Sequence, residues 1–535
     1  MIWWTTTGRP RPEEPAADPA QTVRLVVVGD VMLDSDVLGA VTRICPDAPA
    51  PVLEVSSRHD RPGGAGLAAL MAARDGVTVT LLTATREDTV GHRLSALLRR
   101  AGVRVEAVAA SDATRRLTRV RARTTGDGAA SLVRVDDPGG HALPASERVG
   151  LAERVLADAD AVLVADYGGG VTSLPSVRAA LAGAAARGLP VVWDPHPRGA
   201  SPVPGVALVT PNRAEAAAVL GAAAAALDPD VAAVDLRSRW DVAAVAVTDG
   251  SRGVFAAAGG VPSFTPAPFA APGDTCGAGD RFAGTVALGL ARGAGLVEAL
   301  GEAVADVASW IAGGGVGALV LAPAPAAASA PSAGASADVG AEVTPFTTSA
   351  PPSDADPLAE ALAVAERVRA AGGRVVATGG CFDVLHAGHV ASLEAARRLG
   401  DCLVVIINSD DSVRRLKGAS RPVNSAADRA RVLAGLAAVD AVGVFAEDDP
   451  CAALARLRPD VWAKGGDYAE ADLPETRLVQ EWGGRAVLLP FLPGRSTTRI
   501  LAAGSVAREP AVTDLTALAD SPDATPVPAV SARGA

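Results

Sequence analysis

At 535 residues the chain is too long for one ordinary hydrophobic core, and domains of roughly 100–200 residues predict two to four folded units. A formal net charge of −11 and a pI near 5.2 argue against nucleic acid as a partner, because tracking a phosphate backbone demands a basic surplus. The five cysteines (Cys45, Cys276, Cys381, Cys402, Cys451) form no CxxC pair and are odd in number. They suggest neither a disulfide framework nor a zinc site, and predict a reducing, cytoplasmic home.

Residues 1–22 are rich in Pro, Thr and charge. They lack both the basic start and the apolar core of a signal peptide and predict a disordered tail. From Arg24 onward, β-branched runs alternate with Ala/Leu-rich helical stretches: RLVVVGD, GLAALMAARDG, VTVTLLTA, VGHRLSALLRRAG, then AVLVADY, LPVVWDP, GVALVTPN with the helix RAEAAAVLG, and DVAAVAVTDG. That alternation predicts an α/β sheet with helices on its faces, here a domain over 23–321. Arg213, Glu215, Arg292, Glu298 and Asp306 interrupt the candidate stretches of membrane-spanning length, so no membrane partner is expected. The Ala/Pro/Ser/Gly-rich residues 322–357 predict a flexible linker. A second α/β domain follows over 358–503, with a helix Leu358–Ala371, a strand RVVATGG, a helix to Leu399 and a strand CLVVIINSD; residues 504–535 predict a disordered tail.

In the first domain, APGDTCGAGDRFA (271–283) places Gly277, Ala278 and Gly279 just before an apolar helical run. Backbone N–H groups at such a helix start can converge on an anion, forming an anion hole. Asp280 follows, where a carboxylate can take a proton from a sugar hydroxyl as phosphoryl transfer proceeds. A Gly-rich turn with Asp280 as a helix-capping acid is the plain alternative. Asp30 and Asp34 (VVVGDVMLD) stand at the end of the first strand, where ligands of open α/β sheets collect. Gly63 and Gly64 introduce a helix and permit close approach of a ligand. Asn212 and Glu215 (PNRAE) sit where they could hold Mg²⁺ through water, and Thr248 and Gly250 (TDGSRG) form a nucleotide-contact turn.

Taken in this order, the motifs resemble the ribokinase-like, PfkB-type carbohydrate kinases over residues 24–321. The resemblance implies a ribokinase-like α/β domain with a small β lid. It implies Asp280 as catalytic base, Gly277–Gly279 as anion hole, Asn212 and Glu215 near Mg·ATP, and Asp30, Asp34, Gly63 and Gly64 near the sugar. GDVMLD, TRICPDAPAPVLEV and RPGG look like the heptose 7-phosphate kinase branch. Leu67 stands where that family carries an Asn directed at the sugar, which leaves another sugar, or a nonreactive binding module, as alternatives. Arg119 and Arg121 (LTRVRAR) read either as sugar-phosphate contacts or as a solvated strand face.

In the second domain, VVATGGCFDVLHAGH runs from a strand through a turn into a helix, with His386 and His389 three apart at its start. Both imidazoles can then face one phosphate site beside the helix dipole; a helix cap plus a core histidine is the plain alternative. The segment resembles the HxGH signature of the cytidylyltransferase-like nucleotidyltransferases, a Rossmann-like fold. With NSDDSVRRLKGASRPV, WAKGGDY and GRSTTRI, residues 374–500 resemble the adenylyltransferase half of the heptose kinase/adenylyltransferase family. The resemblance implies that His386, His389 and Lys417 stabilise the phosphates. It implies further that Phe382, Asp383, Lys464, Gly465, Asp467, Ser496, Thr497 and Thr498 bind the nucleotide. A CTP-using transferase is the alternative, since relatives sharing HxGH use CTP. The implied scheme uses ATP as substrate twice, Mg²⁺ as cofactor, a sugar phosphate, a separate phosphatase between the steps, and a homo-oligomer.

Overall fold

The computed structural model describes residues 23–123, 129–271, 273–321, 356–465 and 474–490. The tails expected over 1–22 and 504–535, and residues 322–355 of the expected linker, lie outside the described residues.

Parallel strands form the heart of the first domain, in the spatial order Arg104–Ala110, Thr78–Thr85, Arg24–Gly29, Ala161–Ala165, Val191–Asp194, Leu208–Val209, Val245–Thr248. Their sequences are continuous apolar runs because both faces of the sheet are covered. In the first strand Val26 and Val28 pack into one core, with Leu156, Leu181 and Leu236 from helices Leu151–Ala157, Pro175–Ala186 and Pro229–Trp240. Leu25 and Val27 point the other way, into a core with Ala69, Phe282, Val286 and Leu300 from helices Ala65–Arg74, Ala278–Ala291 and Leu296–Ala312. An antiparallel hairpin, Gly253–Ala257 and Ser263–Pro266, ends this half of the sheet.

The β lid expected from the resemblance is a separate four-stranded sheet, in the order Pro51–Gly64, Val31–Ile44, Arg116–Arg123, Ala129–Asp136. Asp34 lies inside its strand Val31–Ile44 rather than at the end of the first strand, because the chain resumes extended structure directly after Asp30. The Pro-rich CPDAPA connects the two long lid strands.

The second domain is a parallel sheet ordered Ala441–Phe445, Cys402–Asn408, Val375–Gly380, Val461–Gly465, Arg485–Leu489. In chain order this is third, second, first, fourth, fifth, so the winding reverses beside Val375–Gly380, the position at which such sheets collect ligands. Helix Ala387–Arg397 follows that strand. The folded unit begins slightly before the expected boundary: Pro357 O accepts from Val444 N at 3.1 Å, and Asp356 is ion-paired to Arg456.

The domains expected as two units in series share one sheet. Strand Ser263–Pro266 pairs in parallel with Arg485–Leu489 through Ser263 and Leu488, giving fourteen strands in a row.

Candidate active sites

Gly277 caps helix Ala278–Ala291 with φ of 81°, a left-handed conformation that favours glycine. A Cβ there would also come within 2.9 Å of Leu67 Cδ2. The turn therefore brings the backbone close to helix Ala65–Arg74, whose Leu67 packs against it. Two cavities meet at this helix start. One, of about 240 Å³, is lined by Asp34, Gly64, Leu67, Gly277 and Asp280, with Tyr167, His196 and the arginines Arg115, Arg119, Arg134 and Arg198. The other, of about 260 Å³, is walled by Thr248, Gly250, Ala278 and Gly279, and by the apolar Phe282, Val304, Val307, Ala308 and Ile311.

Asp280 is 5% exposed and accepts both of its close hydrogen bonds from the Tyr167 hydroxyl, at 2.8 and 2.9 Å. Burial pushes its carboxyl up to about 7, against the opposing pull of the Tyr167 hydrogen bond. A group poised there is half-ionised near neutrality, as a general base requires. Tyr167→Phe removes a donor to the ionised form, so the acidic limb of any activity that uses Asp280 as base is expected to move to higher pH. An unmoved limb in kcat/KM would show that Tyr167 does not tune Asp280.

Gly63 and Gly64 are needed where they stand. A Cβ on Gly63 would lie 2.8 Å from the Asp34 carboxyl, and one on Gly64, at φ 59°, would lie 2.5 Å from Asp30 O. Asp34 is ion-paired to Arg61 and to Arg119 (3.1 Å), and its Oδ1 is buried without a partner among the described residues. Asp30 is differently employed. Its carboxylate accepts from the backbone N–H groups of Tyr167 (3.0 Å), Gly169 (2.8 Å) and Val171 (3.1 Å), anchoring the loop that carries Tyr167. Arg121 pairs with Asp274 at 3.0 Å rather than lining the cavity.

Asn212 and Glu215 form a reciprocal capping box at the start of helix Arg213–Leu220: Asn212 Oδ1 accepts from Ala214 N and Glu215 N, and Glu215 Oε2 accepts from Asn212 N. Burial raises the carboxyl of Glu215. It raises that of Asp194 well above the ordinary range, with Glu215 and Asp280 adding repulsion. Among the described residues no group of three or more His, Cys, Asp or Glu is arranged to hold a metal directly.

In the second domain His386 is the extended residue that caps helix Ala387–Arg397, and the rings of His386 and His389 stack with centroids 3.9 Å apart. Both Nδ1 atoms are buried without a partner among the described residues. Burial, then the neighbouring His386 and Lys417, lower His389 to about 4, so the ring is neutral at pH 7. Phe382, at φ 44°, lies against His389 with centroids 5.2 Å apart. Lys417 ends helix Asp410–Lys417 with its side chain exposed.

Asp383 is 3% exposed and holds the loop 421–424, pairing with Arg421 and accepting from Val423 N (2.6 Å) and Asn424 N (3.0 Å). Burial alone would raise its carboxyl; the Asn424 amide and Arg421 outweigh that and hold it low. Lys464 pairs with the buried Glu475 at 2.8 Å, and Gly465 stands beside Ser392 of the histidine helix. Asp410 pairs with Arg429 at 2.8 Å. Asp467, Ser496, Thr497 and Thr498 lie outside the described residues.

Sequence reasoning missed Tyr167, Asp194, Arg115, Arg134, Arg198 and Arg429. Each comes from a segment with no local motif. Only the strand ends of AVLVADY and LPVVWDP offered a signal, by placing Tyr167 and Asp194 where a sheet of this kind collects ligands.

Both sites combine a strand end, a helix start and converging polar groups, the arrangement of enzymes that hold phosphates during group transfer. The model of the pfkB family carbohydrate kinases matches residues 23–315, and the cytidylyltransferase-like model matches 377–500. "Bifunctional protein HldE" of Streptomyces coelicolor is 48% identical over 486 residues, covering 89% of this chain and 96% of the relative. The proteins of that name in Halorhodospira halophila and Pseudomonas aeruginosa are 38% and 37% identical, over 90% and 89% of this chain and 97% and 96% of theirs. The chain belongs to the family of these bifunctional proteins, as a pfkB-type kinase joined to a nucleotidyltransferase.

Proposed function

We propose that the chain phosphorylates a heptose 7-phosphate at its anomeric oxygen and later joins the heptose 1-phosphate to AMP, giving an ADP-heptose. The observation that carries the first half is the shape of the sugar-side cavity. Asp280 and the Gly277 turn line it together with Arg115, Arg119, Arg134 and Arg198; Arg119 is paired with Asp34 and Arg134 with Asp136, and Arg198 adds charge for a phosphate already on the sugar. In the first reaction O1 attacks the γ-phosphorus of ATP, the bond to the β-phosphate oxygen breaks, and the O1 proton passes to Asp280. Amides at the helix start offset charge on the transferring group.

In the second reaction an oxygen of the sugar 1-phosphate attacks the α-phosphorus of ATP and pyrophosphate leaves. His386 and His389 orient the phosphates, His389 as a neutral hydrogen-bond donor, Lys417 neutralises their charge, and no covalent enzyme intermediate is needed. Crowded carboxylates at Asp194, Glu215 and Asp280 fit a hard divalent ion held through water near Asn212 and Glu215. Mg²⁺ there would neutralise the β- and γ-phosphates. Between the reactions a separate phosphatase removes the 7-phosphate. The unpaired state of all five cysteines suits a cytoplasmic enzyme. Among the described residues no helix is long and apolar enough to cross a membrane. Exposed Leu132, Val133 and Val135 on the lid favour self-association as a homo-oligomer.

Mass spectrometry of products from heptose 7-phosphate, ATP and Mg²⁺ tests this reading. A bisphosphate is expected alone, and ADP-heptose on adding a phosphatase. Turnover of an unphosphorylated sugar in preference, or CTP consumption in place of ATP, would replace it. In the same assay Arg198→Ala is expected to raise KM for the sugar phosphate about tenfold, the worth of one charge-assisted contact. A comparable loss on an unphosphorylated sugar would remove Arg198 from that role.

A further inference from the structure

The helix that carries the transferase histidines is anchored at its far end by the kinase domain. Helix Ala387–Arg397 has 11 residues, a rigid rod of about 16 Å. His386 and His389 lie at its start and Arg398 directly follows its end. Arg398 Nη1 donates to Ala267 O at 2.6 Å, and Arg398 O accepts from Arg252 Nη2 at 2.9 Å. Ala267 belongs to the apolar-walled cavity that carries the Thr248–Gly250 turn, taken as the kinase's nucleotide cavity, and Arg252 is joined to it through the short turn Gly250–Arg252, whose Gly250 lines it too.

A second set of contacts fixes the same seam. Asp228, which caps helix Pro229–Trp240 of the kinase, pairs with Arg374 at 2.9 Å and Arg485 at 3.3 Å. The fully buried Asp230 is ion-paired to Arg485. A buried ion pair with one partner from each domain penalises any other docking, since separation would leave a buried charge uncompensated. The continuous sheet through Ser263 and Leu488 adds backbone pairing. The seam is therefore held by ion pairs and strand pairing around a cavity of about 240 Å³ that Asp228, Asp230, Arg252, Arg374 and Arg485 line.

We propose that Arg398 is a positioning residue that ties the histidine helix to the wall of the kinase nucleotide cavity, so that each site is adjusted by the other. A displacement of the Gly250–Arg252 turn or of Ala267 when a nucleotide enters the kinase is carried along the helix to His386 and His389. The inference rests on the two reactions proposed above.

Because Arg398 is exposed and Arg252 half-exposed, truncating either leaves the core intact, which melting curves check. Both activities are measured in the full chain for the wild type, Arg252→Ala, Arg398→Ala, Arg398→Lys and the double alanine variant. Arg252→Ala, a kinase change, is expected to lower transferase kcat about three- to tenfold; Arg398→Ala, a transferase change, is expected to raise the kinase KM for ATP by a similar factor. Arg398→Lys, which keeps a donor for Ala267 O, is expected to recover most of both. Arg252 meets the backbone oxygen of Arg398, which Arg398→Ala keeps, so the two hydrogen bonds are separate and the double variant is expected to lose more than either single one. Cross-domain parameters within twofold of wild type in folded variants would overturn the proposal. A wild type lacking either activity would instead overturn the functional reading.

Discussion

Asp280→Asn is expected to abolish sugar phosphorylation, with kcat falling about 10³-fold, the scale of a general base, while nucleotidyl transfer persists. The amide keeps the shape and can still meet the Tyr167 hydroxyl, but it cannot take the O1 proton. Assays of both reactions on one preparation check this; an undiminished rate would make the first domain a binding module. The variant is also expected to melt no lower than the wild type at pH 8. The carboxyl sits at about 7 in the folded chain, well above the ordinary carboxylate range, so ionising it costs the fold. That cost is absent below the unfolded value, grows as pH rises, and is complete above about 7. The advantage of Asn should accordingly be larger at pH 8 than at pH 4. An advantage independent of pH would show that burial does not disfavour the charge.

His389→Ala is expected to lower transferase kcat by about 10²-fold or more, the effect of removing a preorganised donor, with kinase kcat intact. The ring lies at the end of its helix away from the kinase contact. Since burial and the neighbouring His386 hold the imidazole at about 4, it is neutral in the free enzyme throughout pH 6–8. The transferase kcat/KM should therefore show no loss across that range from deprotonation of this ring. A descending limb near 6.5 that vanishes in the alanine variant would show that the protonated ring acts instead. Loss of both activities together would contradict two separate sites.

Much of this chemistry was legible before any coordinates. GAGD and HAGH are local: a glycine turn, a helix start and a carboxylate or imidazole within a few residues, so backbone geometry alone brings them together. Parallel strands such as RLVVVGD and CLVVIINSD were equally plain, because burial on both faces demands unbroken apolar runs. Asp30, Asp383 and the Asn212–Glu215 pair show the limit. Strand-end position or family resemblance placed these carboxylates and the amide beside each site, and their hydrogen bonds anchor the loop 167–171, hold the loop 421–424 through its backbone and Arg421, and cap helix Arg213–Leu220.

The order of residues along this chain determined the two chemistries, their nucleotide turns and the alternation of strand and helix, since each depends on neighbours in sequence. The folded structure alone decided that Tyr167 meets Asp280 across 113 positions, that four arginines line the cavity beside Asp280, and that one sheet runs through both domains. Charges and strand edges distant along the chain acquire a partner only when packing closes the space between them, and no local pattern encodes which partner that is.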